Sequence, residues 1–334
     1  MASAVADRRR RASTPEAIEA DLSALWRDIA RDGPIGCAMM SNLVVFRSAR
    51  AASDASVEDL FGAASVDAVL ARHPSRVILI EHRQESPDVC RPLVASVGIL
   101  AFGPPSARYG VEQIAVRSAC ADASLPSILR HLVRGDLPTS VWWMEDLAQV
   151  PPLDVIVAIG RQFLYDSRGW RDVRRGFLAL APVIDTVDVV DMNWRRLLPV
   201  RRALVRGAES TDAGWWRPDD LRIAHRPGDA ALAWLLAGWF SSRLDWGASA
   251  MPQIHEDANA DDVLSILIGG GAEEFVARFD GLRVLVADDA VEPSSVVAEH
   301  EGEADAVAAE LQSLSHDVCL HDALSALVRH FRAA

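Results

Sequence analysis

The stretch Asp136-Leu137-Pro138-Thr139-Ser140-Val141-Trp142-Trp143-Met144-Glu145-Asp146 reads as a short β-strand. Pro138 cannot donate to a ladder and belongs at a strand's first position, β-branched and aromatic residues follow it, and acidic residues close the segment. Adjacent side chains on a strand point to opposite faces, so Trp142 and Trp143 need cover on both sides of the sheet. The strand is therefore central, with helices above and below. Open α/β sheets build their sites at the carboxyl ends of their strands, and Trp143 marks that end here.

Upstream of this strand the pattern alternates. Thr14-Pro15-Glu16 opens a helix as a cap followed by proline, with Ile18, Leu22, Leu25, Trp26 and Ile29 at helical spacing. Cys37 to Arg47 is a strand carrying polar Asn42, Ser56 to Arg72 a helix, and Arg76 to Glu81 a buried strand. Pro92 to Phe102 and Gly110 to Ser118 form an antiparallel pair across a Gly-Pro-Pro turn, and a helix from Ser124 to Arg134 leads into the double-tryptophan strand. Downstream lie a short helix at Pro151 to Ile159, a strand at Gln162 to Asp166, a helix at Trp170 to Leu180, and a strand at Val187 to Val190. A helix with Trp194, Leu197, Leu198 and Leu204 completes the unit.

The fold class is α/β: a mostly parallel, Rossmann-like sheet covered by helices over residues 14–206, after a frayed terminus at 1–13. Residues 207–220, with exposed-looking Trp215 and Trp216, read as a linker. Residues 221–334 form a smaller α+β unit. It holds a strand at Leu221 to Arg226, a helix at Asp229 to Asp245, and a meander at Val263 to Ile268, Glu274 to Phe279 and Leu282 to Ala287. Helices at Ala304 to Leu314 and Asp322 to Phe331 close it.

Composition removes whole classes of chemistry. The chain has 334 residues and a net charge of -13, and every basic residue is arginine. Without lysine there is no Schiff base, no lysine general base and no phosphate-loop lysine. An acidic chain whose one basic cluster, Arg8 to Arg11, is a solvated terminus is a poor nucleic-acid binder. The four cysteines, Cys37, Cys90, Cys120 and Cys319, show no CxxC, which suits reduced buried thiols and neither a zinc site nor a disulfide framework. With no apolar leader, and its most apolar helix (Ala230 to Phe240) about half a membrane span, the chain is expected to be cytoplasmic and membrane-free.

Three groupings invite chemistry. Gly269-Gly270-Gly271 matches neither GxGxxG nor a phosphate loop and reads as a hairpin turn. His316, Cys319 and His321 lack a zinc spacing, so neither metal nor cofactor is expected. There is no GxSxG. The third grouping follows from topology: Trp142-Trp143, Asp166-Ser167 and Asp191-Asn193 each end a strand, and parallel neighbours would bring them to one crevice. Asp166-Ser167 and Asp191 would equally serve as caps of the helices that follow, and both readings stand.

Seven runs carry a resemblance: SNLVVF (41–46), HPSRVILIE (73–81), VEQI (111–114), DLPTSVWW (136–143), FLYDS (163–167), DMNWRRLLPVRRAL (191–204) and LAWLLAGWFSSRLDW (232–246). In this order they resemble the OpcA family, the glucose-6-phosphate dehydrogenase assembly protein, over the chain up to about Gly247. The resemblance implies a non-catalytic partner that promotes the active oligomer of glucose-6-phosphate dehydrogenase and supports the oxidative pentose phosphate pathway. Carried onto the matching positions, it nominates Asn42, Glu112, Gln113, Trp142, Trp143, Asp166, Ser167, Asp191, Asn193, Trp194 and Arg201 as partner-binding candidates, with no catalytic residue. Taken singly, Trp142, Trp194 and Trp239 read as core. The alternative is a sugar-phosphate sensor or enzyme using the crevice at Trp142, Asp166 and Asn193, where arginine or a helix N-terminus would hold the phosphate.

Overall fold

A computed structural model describes residues 8–12, 14–48, 64–82, 94–104, 106–118, 125–147, 153, 158–210, 216–247, 250–269, 274–288, 291–298 and 301–333. The first half runs β1 (Arg8–Ala12), α1 (Pro15–Ala30), β2 (Ile35–Cys37), β3 (Ser41–Ser48), α2 (Ala64–Leu70), β4 (Ser75–His82), β5 (Val94–Phe102), β6 (Arg108–Ser118), α3 (Leu125–Leu132) and β7 (Thr139–Trp143). It continues with β8 (Gln162–Tyr165), α4 (Val173–Leu180), β9 (Asp188–Asp191), α5 (Met192–Arg196) and α6 (Leu198–Ser210). These strands form one nine-stranded sheet in the order β1-β5-β6-β4-β3-β7-β8-β9, with β2 alongside β6. Every pair from β6 through β9 is parallel. Numbered from β3 and leaving the antiparallel β5 aside, the parallel strands stand in the doubly wound order 3-2-1-4-5-6, whose switch point lies between β3 and β7.

Both faces of this sheet are buried, as two adjacent tryptophans on β7 require. Trp142 lies with Leu43, Val45, Leu79 and Leu164 under α2 and α8 (Glu303–Ser313), while Trp143 packs on the opposite face with Val44 and Phe46. Thr14 caps α1 by accepting from the Ala17 amide at 3.2 Å, and Ile18, Leu22, Leu25 and Ile29 of α1 are buried on that opposite face.

The second sheet contains β10 (Leu221–His225), β11 (Gln253–Glu256), β12 (Leu264–Gly269), β13 (Glu274–Phe279), β14 (Arg283–Asp288) and β15 (Val291–Val297). Its order is β11-β10-β12-β13-β14-β15, antiparallel throughout except for the parallel β10–β11 pair. One face, with Ile223, Ile266, Phe275, Ala277 and Val284, joins the core that includes α6 and α7 (Ala230–Arg243). Helix α9 (Val318–Ala333) packs on α7, where a Cβ at Gly238 would fall 2.6 Å from the Ala323 carbonyl oxygen, and its Phe331 stacks on Phe177 of α4. Helix α9 therefore touches the first sheet's layer as well as the second unit, while α8 packs on the first sheet.

Several expectations change. Arg8 to Arg11, read as a frayed terminus, run as an antiparallel edge strand against β5. The strand expected from Cys37 to Arg47 is two strands, because β2 pairs with β6 and β3 enters between β4 and β7. The helix expected around Trp194 is split into α5 and α6, with Pro199 in the first turn of α6, where its missing N–H costs nothing. Trp216 is buried against Phe240 and Phe275, at ring distances of 6.0 and 5.6 Å, and is not exposed. Cys37 is exposed and not a buried thiol; Cys319 is partly buried, and Cys90 and Cys120 lie outside the described residues. Strands β11 and β15 were not expected. Trp215, the Ser56 to Ala63 stretch and most of the Pro151 to Ile159 helix also lie outside the described residues. No described helix is long and apolar enough to cross a membrane.

Candidate functional site

Parallel pairing of β7, β8 and β9 sets Trp143, Tyr165 and Asp191 side by side in register at the strands' carboxyl ends. The next residues of β8 and β9 then meet as the crevice reading expects of Asp166, Ser167, Asp191 and Asn193, whereas Trp142 does not join them and is buried under α2 and α8. Asp191 caps α5, accepting from the Asn193 amide at 2.8 Å, and also accepts from the Ser167 amide at 3.2 Å. The Asn193 side-chain amide donates to Ser167 Oγ at 2.9 Å, and its Oδ1 accepts from Arg196 at 2.7 Å. Arg196 closes the cluster with a two-pronged bond to Asp166, both contacts 2.7 Å. For Asp191 capping and convergence are thus the same geometry, whereas Asp172, and neither Asp166 nor Ser167, caps α4, accepting from the Arg175 amide at 2.9 Å.

Asp191 and Ser167 have no exposed surface, and burial pushes the Asp191 carboxyl up to about 7, with the Asp166 charge adding to it and the hydrogen bonds from Ser167 and Asn193 opposing. Asp191 Oδ2 and the Tyr165 hydroxyl are buried without a hydrogen-bond partner. Burial first, and the Asp191 charge second, hold the Tyr165 phenol well above its ordinary range.

A cleft of about 500 Å³ opens beside this cluster, between the two sheets. Asp166, Arg168 and Arg196 line it from the first sheet, Arg226 and Asp229 from the start of α7, and Glu303 from the start of α8. Its ions are largely paired within the wall: Arg226 donates to Asp229 at 2.7 Å and Arg196 to Asp166. Burial, then the Asp166 charge, raises the Glu303 carboxyl, with Arg196 opposing. Sequence reasoning missed Arg196, Arg226 and Glu303. The run from Asp191 to Arg196 held a signal for the first, since one short helix carries both, but Glu303 arrives from far along the chain with no local sign.

The remaining nominated residues lie elsewhere. At the switch point, Phe46 and Trp143 are register partners whose rings stack at 5.2 Å. At the other, amino end of the sheet, buried Asn42 donates to the carbonyls of Arg134 (2.9 Å) and Leu137 (3.2 Å) and to Thr139 Oγ1 (3.0 Å), and accepts from the Arg134 amide (2.9 Å). Buried Glu112 accepts from Arg76 at 2.6 Å and the Trp26 indole at 2.8 Å, and Gln113 donates to Asp67 at 3.2 Å. Trp194 donates to Asp317 at 2.7 Å, and Arg201 stacks over its ring at 3.6 Å. In this conformation Asn42, Glu112, Trp142, Ser167, Asp191, Asn193 and Trp194 offer almost no surface; they shape what lies outside them.

His316 pairs with Asp188 at 3.0 Å and His321 with Asp185 at 3.1 Å, so each histidine is engaged by its own aspartate. The Gly269 run joins antiparallel β12 and β13, with Gly269 at φ +96°, a left-handed turn conformation; Gly270 and Gly271 lie outside the described residues.

Comparison with known proteins gives concordant matches. The chain is similar to the OxPP cycle protein OpcA of Synechocystis sp., 22% identical over 207 residues, which is 59% of this chain and 43% of that protein. The OpcA of Nostoc punctiforme is 27% identical over 133 residues, 39% of this chain and 29% of that protein. These matches thus span less than half the length of the curated relatives. Among solved structures, UDP-N-acetylglucosamine 3-dehydrogenase from Acidithiobacillus ferrooxidans superposes with a TM-score of 0.40 at 10% identity, covering 88% of this chain and 97% of that one, too loose a likeness to bear on function. Residues 66–182 match the glucose-6-phosphate dehydrogenase subunit N-terminal domain and residues 187–324 the corresponding C-terminal domain, so the chain belongs to the OpcA family.

Proposed function

We propose that this chain is a non-catalytic subunit that binds glucose-6-phosphate dehydrogenase and favours its active oligomer. The observation that carries the reading is the state of the switch point. In doubly wound sheets a dinucleotide lies across that crevice, its pyrophosphate held by a glycine-rich turn after the first strand. Here Phe46 and Trp143 stack at that place, and residues 49–63, between β3 and α2, hold Gly62 but no glycine-rich run. A sheet of nucleotide-binding topology whose crevice is occupied by its own aromatics suits a scaffold for contact with another protein. A partner that binds the active oligomer more tightly than other states raises that oligomer's population in proportion to the difference.

The test mixes the purified chain with the dehydrogenase from the same genome. Specific activity should rise and a larger co-eluting species should form. If neither occurs at micromolar concentrations of each, the reading fails.

A second reading, a sugar-phosphate sensor, is favoured by the interdomain cleft, whose volume suits a small ligand and whose walls carry arginines and carboxylates. Saturable thermal stabilisation of the chain alone by glucose 6-phosphate would support it.

A further inference from the structure

The second sheet has an inner face spent on the core and an outer face that no described helix covers. Strict alternation along β14 buries Val284 and Val286 and turns Leu285 outward, where it is 52% exposed. Val297 of β15 is 71% exposed. Register then lays out the outer face in rows. Arg222, Leu267, Val276 and Ala287 stand side by side across β10, β12, β13 and β14. Ala224, Ser265, Arg278, Leu285 and Ser295 form the next row, extending onto β15. Antiparallel sheets that face water normally carry polar residues on that side. This one presents leucine, valine and alanine, which is the texture of a contact surface.

Charge says what kind of partner fits. The chain as a whole carries -13, yet the open face holds Arg222, Arg278 and, opposite Val297, Arg283, with exposed Glu274, opposite Gly269, on the same face. Arg222 and Arg278 are exposed and have no carboxylate partner among the described residues, and Arg283 reaches Asp280 only at 3.9 Å with its side chain 63% exposed. An excess of arginine among apolar residues selects a partner of opposite sign. A second copy of this chain fits poorly. Arg278 lies near the middle of the face, and a two-fold pairing of this face with itself would bring two unpaired guanidinium groups together.

We propose that the outer face of the β10–β15 sheet is where this chain docks onto the dehydrogenase, meeting a face that sets carboxylates among apolar residues. The proposal rests on the partner-subunit reading above and names the surface that would serve it. It differs from the residues nominated by sequence, which all lie on or beside the first sheet.

The experiment uses the full chain with Leu285→Glu and Arg278→Glu introduced separately. Both side chains point to solvent, so each variant should melt as the parent does; if Leu285→Glu does not fold, Arg278→Glu carries the test. Affinity for the dehydrogenase of the same genome is read by sedimentation velocity at low and moderate salt. Each substitution should weaken binding by about tenfold or more, as loss of a central contact does, and parental binding should weaken with salt. If the parent binds and both variants bind equally well, the docking face is wrong and the partner reading stands. If the parent does not bind, the partner reading falls and the docking proposal with it. If the chain alone forms a dimer that Leu285→Glu dissociates, a second copy covers the face and the proposal is overturned.

Discussion

The first sheet buries a polar cluster at each end, and the two are built oppositely. At the amino end, Glu112 meets Arg76, which is 1% exposed, and the Trp26 indole, while Arg76 also holds Glu19; Asn42 satisfies both of its polar atoms against backbone and Thr139. At the carboxyl end, Asp191 is equally buried, but Arg196 answers Asp166, leaving one Asp191 oxygen and the Tyr165 hydroxyl unpaired. The comparison teaches that burial of charge alone does not mark a site. A cluster whose charges are answered is a staple, even with Arg76 Nε left without a partner; an unanswered carboxylate is where the fold carries a cost that something else must offset.

The largest effect should come from breaking the staple. Glu112→Gln removes the carboxylate while Arg76 stays buried, with only half-exposed Glu19 left to balance it. Losing one member of a buried pair should destabilise the fold by about 3 kcal/mol, read from the shift of the urea midpoint. A loss below about 1 kcal/mol would mean that Arg76 finds another partner and that the two ends are less different than their geometry indicates. Asn42→Ala acts at the same end. It strands the Arg134 amide and removes three donated bonds, and should cost about 2 kcal/mol in the same measurement.

How much of this contrast was readable beforehand depended on whether the signal was local. The β7 tryptophans declared two covered faces because adjacent strand residues cannot share one, and the parallel run β7, β8, β9 followed from apolar stretches divided by helices. Asp166, Ser167, Asp191 and Asn193 could be placed together on that topology. Their burial could not, since nothing in FLYDS or DMN tells that Arg196 will fold back on Asp166. Glu112 in VEQI looks like a solvated strand residue until Arg76, thirty-six positions earlier, is paired with it. Strands β11 (QIHE) and β15 (VEPSSVV) were missed for a different reason: they are edge strands, polar or proline-containing, and edges lack the apolar alternation that announces a buried strand.

At the carboxyl end the sign should reverse. Asp191 sits at about 7 in the folded chain against 3.8 for a free carboxyl, so between those values the folded state holds a proton that the unfolded state has released. Stability therefore falls as pH rises from about 4 to about 7, and the full penalty remains above that. Asp191→Asn keeps an oxygen for the Ser167 and Asn193 amides and removes the buried charge. It should stabilise the protein by about 1–3 kcal/mol at pH 8 and leave it nearly unchanged at pH 4. Parallel stability curves for parent and variant across that range would show that Asp191 is ionised in the fold at every pH, and the contrast between the two ends would collapse.

The smallest effect tests how the unanswered carboxylate is tolerated at all. The Ser167 hydroxyl accepts from Asn193 and its bond to Asp191 favours the ionised form, so it both ties α5 to the end of β8 and moderates the charge. Ser167→Ala should cost about 1 kcal/mol at low pH, where only the bond from Asn193 is lost, and somewhat more above pH 7, where the carboxylate also loses a donor. The pH at which stability declines should move upward, because the charged form of Asp191 is now less favoured relative to the neutral one. A downward move, or a loss independent of pH, would assign Ser167 to packing alone and leave the backbone amides of Ser167 and Asn193 as the groups that make an ionised Asp191 bearable.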